Sequence, residues 1–333
     1  MYNVRKIEEN INMGGNFQGL FLYDQELAPR TTFKVGGPVS LLVEPLTVDS
    51  FITAVQVIRT LSIPYLVLGG CSNVVAPDEG IEYPILSTLK LGAISLSPDK
   101  SSIHCGAGCT WKQVLDFCIE HQLGGLENFS GLPGTLGGAV FMNARCYDMS
   151  MSDVLTGVDY ACPSVDSAGQ WTVTLEPYSM NPKDWNYKVS PFQGQMKDCP
   201  VLSATLSVKP LNEAETMEMK CRSEHFVADR EKKGHFSYPS AGSVFKNNRD
   251  YGKPSGKIVD EAGLRGLELG GAQVAPWHGN FIINKGNATA EDIERLVDLV
   301  QKIVLEKTGF LLEPEIIFLR NIDSSGENKP TIK

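Results

Sequence analysis

No stretch of the 333-residue sequence approaches the ~20 consecutive apolar residues that a membrane helix requires, although 42% of its residues are hydrophobic. The opening residues, MYNVRKIEENINMGG, carry charges but no apolar core. They do not read as a secretory signal, and a cytoplasmic location without membrane insertion is the expectation. Positive charge is scarce: 30 Lys and Arg against 39 Asp and Glu leave a net charge of -9. Nucleic acid is therefore excluded as the main partner, whereas a small anion can still bind where the surface is locally basic. The eight cysteines include no CxxC pair, and the five histidines show no zincin spacing. Reduced, mostly buried thiols and no metal are expected from such a set. The sequence shows neither internal repeats nor low-complexity segments.

What it has in quantity is glycine. Residues 130–144, SGLPGTLGGAVFMNA, hold four glycines and a proline, then close on an apolar Val-Phe-Met. Without a Cβ, glycine lets the backbone take positive φ and lie against a ligand, and exposed amides in such a turn form a concave site for anions. No Gly-Lys-Ser/Thr follows the run, so it is not a Walker loop. An isolated run of this kind reads equally well as a plain tight loop. A second one, Leu68-Gly69-Gly70-Cys71-Ser72-Asn73, shifts the balance towards one long, phosphate-bearing ligand held at two places. A third, Gly106-Ala107-Gly108, follows a strand and precedes a helix as in a dinucleotide fingerprint. Trp111 stands where the last glycine belongs and no clean βαβ unit follows, so that reading is set aside.

Along the chain, residues 1–29 read as a polar leading arm or helix. Strand-like 40–45, a helix capped by Thr47 with Phe51, Ile52, Val55 and Ile58 on one face, and strand-like 63–68 make a small α/β lobe over 30–90. A second lobe over 91–209 holds strands near 93–97, 101–105, 156–162, 170–175 and 200–209, with a helix over 112–121. Residues 210–230 predict a helix leading into a third region, 210–321. There, 281–284 reads as a short strand. A helix begins at Thr289 with Asp292 three residues on; Ile293, Leu296, Val297, Val300, Ile303 and Val304 share one face, and Gly309 ends it. Residues 310–319 read as a last strand, and 322–333 as a polar, disordered tail.

The motifs TTFKVGGP (31–38), LGGCSN (68–73), SGLPGTLGGAVFMNA (130–144), YPSAGSVFKN (238–247), GGAQV (270–274), NFIIN (280–284), NATAEDI (287–293) and LEPEI (312–316) resemble, in this order, the MurB family. These are the UDP-N-acetylenolpyruvoylglucosamine reductases of peptidoglycan precursor synthesis. The resemblance implies an α+β fold: a two-lobed FAD-binding domain of the vanillyl-alcohol-oxidase type, then an α/β substrate domain. The short stretch between Lys188 and Ser243 resembles the family's shorter type, without an extra substrate-covering loop. It implies non-covalent FAD at Gly69, Gly70, Cys71, Ser72, Asn73, Gly134, Thr135, Gly137, Gly138 and Asn143. NADPH is the implied hydride source, and a UDP-sugar bearing an enolpyruvyl ether the acceptor. Ser243 would protonate the enolate and Glu315 would place a carboxyl group near it; Lys246, Asn247 and Gln273 would bind the UDP-sugar. By their residue types alone, Ser243 also reads as a turn hydroxyl, Glu315 as a strand-end carboxylate and Lys257 as a solvated helix charge.

Three positions depart from the family's pattern. Its usual Tyr-Arg-x-Ser-x-Phe reads Tyr187-Lys188-Val189-Ser190-Pro191-Phe192, its Asn-Ala-Gly reads Asn143-Ala144-Arg145, and the third glycine of the first loop is Cys71. Lysine keeps the charge of arginine but not its two-pronged planar donor. One explanation is that Arg145 supplies the guanidinium absent from position 188; another is that Arg145 binds FAD phosphate or sits on the surface. The competing functions are a different FAD-dependent oxidase or dehydrogenase, against which Ser243 and Glu315 argue, and a non-catalytic flavin or nucleotide-sugar binding protein.

Overall fold

The computed structural model describes residues 2–321, so the expected polar tail lies outside the described residues. The chain folds into two compact units, each assembled from separated segments. Unit 1 comprises Met1–Tyr23, Leu41–Gly70 and Tyr83–Ala228; unit 2 comprises Asp24–Ser40, Cys71–Glu82 and Asp229–Lys333.

Unit 1 contains a sheet ordered Gly19–Glu26, Pro38–Pro45, Ile85–Ser87, Leu66–Leu68, whose last three strands pair in parallel. Gly19–Glu26 corrects the reading of residues 1–29 as a simple arm: after the helix Arg5–Met13 the chain enters this sheet. The helix Val48–Thr60 starts at Thr47, whose Oγ1 accepts the Ser50 N–H at 3.1 Å. It buries Phe51, Ala54, Val55 and Ile58, at i, i+3, i+4 and i+7. A second, five-stranded antiparallel sheet runs in the order Trp171–Ser179, Leu155–Val165, Val201–Ser207, Ser102–Gly106, Ile94–Leu96. Its longest pairing extends from Gly157↔Ser179 to Val165↔Trp171. Beneath it lies a core of Ile103, Trp111, Val114, Phe129, Leu136 and Leu206. Trp111 stacks on Phe129 with ring centroids 4.2 Å apart. Gly106-Ala107-Gly108 is a packing turn: a Cβ on Gly108 would stand 2.3 Å from the Thr88 carbonyl oxygen.

In unit 2 the helix Ala290–Thr308 buries Ile293, Leu296, Val297, Val300 and Val304. Thr289 and Asp292 close a reciprocal cap at its start, and Gly309, at φ 76°, ends it in the left-handed region. It packs with a three-stranded sheet ordered Glu268–Leu269, Ala272–Val274, Ile282–Asn284. The strand expected over 310–319 shrinks to Ile317–Phe318, paired in parallel with Val74–Val75. Pro314 has no N–H to offer a continuous ladder, and the segment around it bonds instead to 244–246.

Candidate active site

In unit 1 the two main glycine loops touch. The Gly70 N–H donates to Thr135 Oγ1 at 3.3 Å. A Cβ on Gly69 would lie 2.4 Å from that oxygen, and one on Gly70 would lie 2.6 Å from Gly134 Cα. Thr135 is itself buried and fixed, since Leu136 N–H donates to Cys109 O and Gly137 N–H to Ala107 O, both at 2.9 Å. Gly69, Gly70 and Gly137 are therefore each required by close packing within the protein. Gly138 differs. It is exposed, and a Cβ there would meet nothing nearer than Thr135 Oγ1 at 4.0 Å. This bare strip of backbone beside a rigid loop junction has the form a flavin nucleotide's phosphates or ring requires, so the residues present fit FAD.

Asn143, expected to bond the flavin, is buried at φ 39° with its side chain engaged by the protein. Its Nδ2 donates to Asn186 O at 2.8 Å and its Oδ1 accepts the Ser152 N–H at 3.0 Å. It thus ties the loop 186–193 to the chain just after the helix Leu136–Phe141. Ser190 Oγ and Gln193 Nε2 add to the tie by donating to Phe141 O at 2.6 and 2.5 Å, and Gln193 also reaches Lys188 O at 3.3 Å. Lys188 occupies the left-handed region, φ 57°, at the turn of this loop. Arg145 donates to Ser150 Oγ and pairs with Asp148, each at 3.2 Å. Asp148 is fully exposed, so that pair contributes little to stability.

In unit 2, Cys71 takes φ 48° where the family's glycine would stand, and burial pushes its thiol up to about 11. Thr32 supports this loop through its N–H to Cys71 O (3.2 Å) and its hydroxyl to Ser72 O (3.3 Å). Asn73 Nδ2 donates to Glu315 O at 2.9 Å, while the Glu315 N–H donates to Val244 O at 2.7 Å. Two residues distant in the chain, Glu315 and Ser243, are thereby set on adjoining backbone segments. Asn280 fastens the same segment. Its Oδ1 accepts the Phe245 N–H and its Nδ2 donates to Phe245 O, both at 2.8 Å, while its own carbonyl takes the Val244 N–H at 2.9 Å.

A polar cavity of about 310 Å³ opens here, with Ser243, Asn247, Lys257, Asp260, Arg265 and His278 in its wall. Asp260 and Arg265 form a short two-pronged pair, which raises the arginine's pKa. Burial lowers the His278 pKa, and its Nδ1 accepts the Asn280 N–H at 3.1 Å. The neutral ring then carries its proton on Nε2. Of the expected substrate residues, Asn247 belongs to this wall, although its Oδ1 also accepts the Ser255 N–H at 2.8 Å. Lys246 is held by Glu313 at 2.6 Å. Gln273 is outside the wall, its amide donating to Glu268 at 2.8 Å and Gly266 O at 3.3 Å. Asp260, Arg265 and His278 were not legible as cavity residues, because the cavity forms only when segments 243–265 and 278–280 meet. Asn280 and Asn284, both buried, did leave a signal: two amides bracketing the apolar Phe281-Ile282-Ile283.

Among the described residues no group of three or more His, Cys, Asp or Glu could hold a metal ion, and no helix is long and apolar enough to cross a membrane. An FAD binding domain profile matches residues 39–164, and the profile of the UDP-N-acetylenolpyruvoylglucosamine reductase C-terminal domain matches 234–319. The enzyme of that name from Treponema denticola is 43% identical over 90% of this chain and 94% of its own. The Borreliella burgdorferi enzyme is 37% identical over 89% and 93%. The crystal structure of MurB from Thermus caldophilus superposes with a TM-score of 0.70 at 29% identity, covering 91% of this chain and 100% of that one. The glycine junction, the paired Ser243 and Glu315 segments and these relatives agree: the chain belongs to the UDP-N-acetylenolpyruvoylglucosamine reductase family and is an FAD-dependent oxidoreductase.

Proposed function

We propose that the protein reduces the enolpyruvyl group of UDP-N-acetylglucosamine-enolpyruvate to give UDP-N-acetylmuramate, with Ser243 as the proton donor. Bound FAD supplies the chemistry of carrying hydride from NADPH to the vinyl carbon. Negative charge then develops on the substrate carboxylate as an enolate, and the adjacent carbon must take a proton. The Ser243 hydroxyl, in the wall of the polar cavity, provides that proton. Glu315, bonded through its backbone beside Ser243, supplies the neighbouring carboxyl group. Lys188 is the cation for the developing carboxylate charge, and the ties from Asn143, Ser190 and Gln193 hold its loop.

Asn247 and Lys257 receive the UDP-sugar in the unit 2 cavity. Lys246 and Gln273, paired with Glu313 and Glu268, shape its surroundings. Residues 30–90 and 91–209 serve as the flavin lobes and 210–321 as the substrate domain, with 30–40 and 71–82 built into unit 2 alongside the latter. A cytoplasmic location follows from the use of NADPH and a UDP-linked substrate. The observation that carries the reading is the Glu315–Val244 hydrogen bond, which brings the family's two catalytic motifs together.

Anaerobic visible spectroscopy tests it. NADPH should bleach the flavin band, and the enolpyruvyl UDP-sugar should restore it. Ser243→Ala should leave bleaching unchanged and slow recovery by roughly 10²- to 10⁴-fold, the usual contribution of a positioned acid. Recovery at the unaltered rate would remove Ser243 from the role, and absence of a flavin band after FAD addition would remove the function.

A further inference from the structure

The register of the five-stranded sheet brings two cysteines face to face. Tyr160 is opposite Val201, and the Ala161 N–H donates to Pro200 O at 2.9 Å. Continued one residue past the end of the strand Val201–Ser207, the same antiparallel register would set Cys162 opposite Cys199. Because 161 and 200 form the bonded pair, 162 and 199 fall at a non-hydrogen-bonded position, where side chains approach most closely and Cα atoms lie ~4.5 Å apart. That separation is within the ~4.4–6.8 Å a disulfide spans. The side chains do meet: burial and the adjacent Cys162 thiol together push the Cys199 thiol up to about 11. Tyr160, two residues before Cys162, is influenced by both thiols. Arg59 and Asp198, 3.3 Å apart, are the charged groups beside Cys199.

Both cysteines are free and half-buried. The other six are placed differently. Cys105, Cys109, Cys118 and Cys146 are buried in the unit 1 core, Cys221 is exposed on the helix Glu213–Lys232, and Cys71 belongs to unit 2.

We propose that Cys162 and Cys199 are a modification site, a cross-strand dithiol that hydrogen peroxide closes to a disulfide. Two S–H bonds break and one S–S bond forms; the peroxide O–O bond is cleaved, takes up the two electrons and two protons, and leaves as two waters. One thiol is first oxidised by the peroxide to the sulfenic acid, releasing one water, and its neighbour then displaces the second water to close the disulfide. The bond joins the strand Leu155–Val165 to the end of the segment that returns from the Lys188 loop, enclosing that loop in a covalent ring.

Treating the FAD-loaded protein with hydrogen peroxide and mapping its peptides without reduction tests the site. Expected are a mass lower by two hydrogens, a peptide linking Cys162 to Cys199, and reversal by dithiothreitol. Cys162→Ser and Cys199→Ser should each abolish the linked peptide while circular dichroism stays unchanged. Oxidation of either cysteine to sulfinic acid without a linked peptide, or linkage of a different pair, would overturn the proposal. The wild-type map decides the matter even where a serine variant fails to fold.

Discussion

Replacing Asn280 by alanine isolates the device that holds the segment carrying Ser243. The change removes both hydrogen bonds between the Asn280 amide and the Phe245 backbone, each 2.8 Å long, at a residue only 4% exposed. An orphaned buried polar group costs about 1–3 kcal/mol, so the pair costs about 2–6 kcal/mol. Asn280 also borders the polar cavity, through which water can reach one of the two groups. That keeps the loss in the lower part of the range, about 2–4 kcal/mol. At 1.36 kcal/mol per tenfold change, amide exchange in peptides covering 243–247 should accelerate roughly 30- to 900-fold. Hydrogen–deuterium exchange reads this directly, and the helix Ala290–Thr308 provides an internal reference whose protection should stay high. Acceleration below about threefold would refute the account of Asn280 as the clamp.

Three further perturbations separate fold from site. Gly138→Ala adds a methyl group where no atom lies within 4.0 Å apart from contact with Thr135 Oγ1, and alanine favours a helix by about 1 kcal/mol, so apo-protein melting should not fall. FAD affinity should nonetheless drop more than about tenfold, whereas Gly70→Ala should lower both; unchanged FAD binding in Gly138→Ala would show that the strip is not the cofactor surface. Lys188→Ala should slow flavin reoxidation by the enolpyruvyl substrate far more than Arg145→Ala does. The reverse order, in single-turnover kinetics, would move the cationic role to Arg145. Burial, then the Arg230 charge, lowers the His235 pKa from 6.5 to about 4. Folding therefore favours the neutral ring: its contribution is complete above the unfolded-state value and is lost as pH falls from about 6.5 towards 4. Melting temperature should decline across that window and His235→Gln should flatten the decline; identical pH profiles would exclude it.

Local chemistry made some of this structure readable in the sequence. The Thr289–Asp292 cap, the stripe from Ile293 to Val304 and the Gly309 stop all act within a few residues, and each is present. The glycine loops were readable as loops, but two of their glycines answer to a distant stretch of chain: Gly70 to Gly134, Gly137 to Ala107. Spacing along one segment cannot reveal that. The protein partners of Asn143, Asn186 and Ser152, are likewise brought to it only by the fold. The last strand is shorter than the apolar content of 310–319 suggests, because Pro314 has no N–H for the ladder. The cavity beside Ser243 draws on segments some thirty-five residues apart, such as those of Ser243 and His278.

The way unit 2 is assembled limits how it can be inherited. Residues 229–333 carry Ser243 and Glu315, yet the core around them also includes Phe33, Val35 and Val75, at 0%, 3% and 1% exposure. Each of these large side chains removed from a packed interior costs about 2–5 kcal/mol. Losing all three approaches or exceeds the 5–15 kcal/mol by which a whole domain is typically stable. The stretch matched by the C-terminal profile is consequently not a cassette that recombination could move between proteins: a gene fragment encoding it leaves behind part of its own interior.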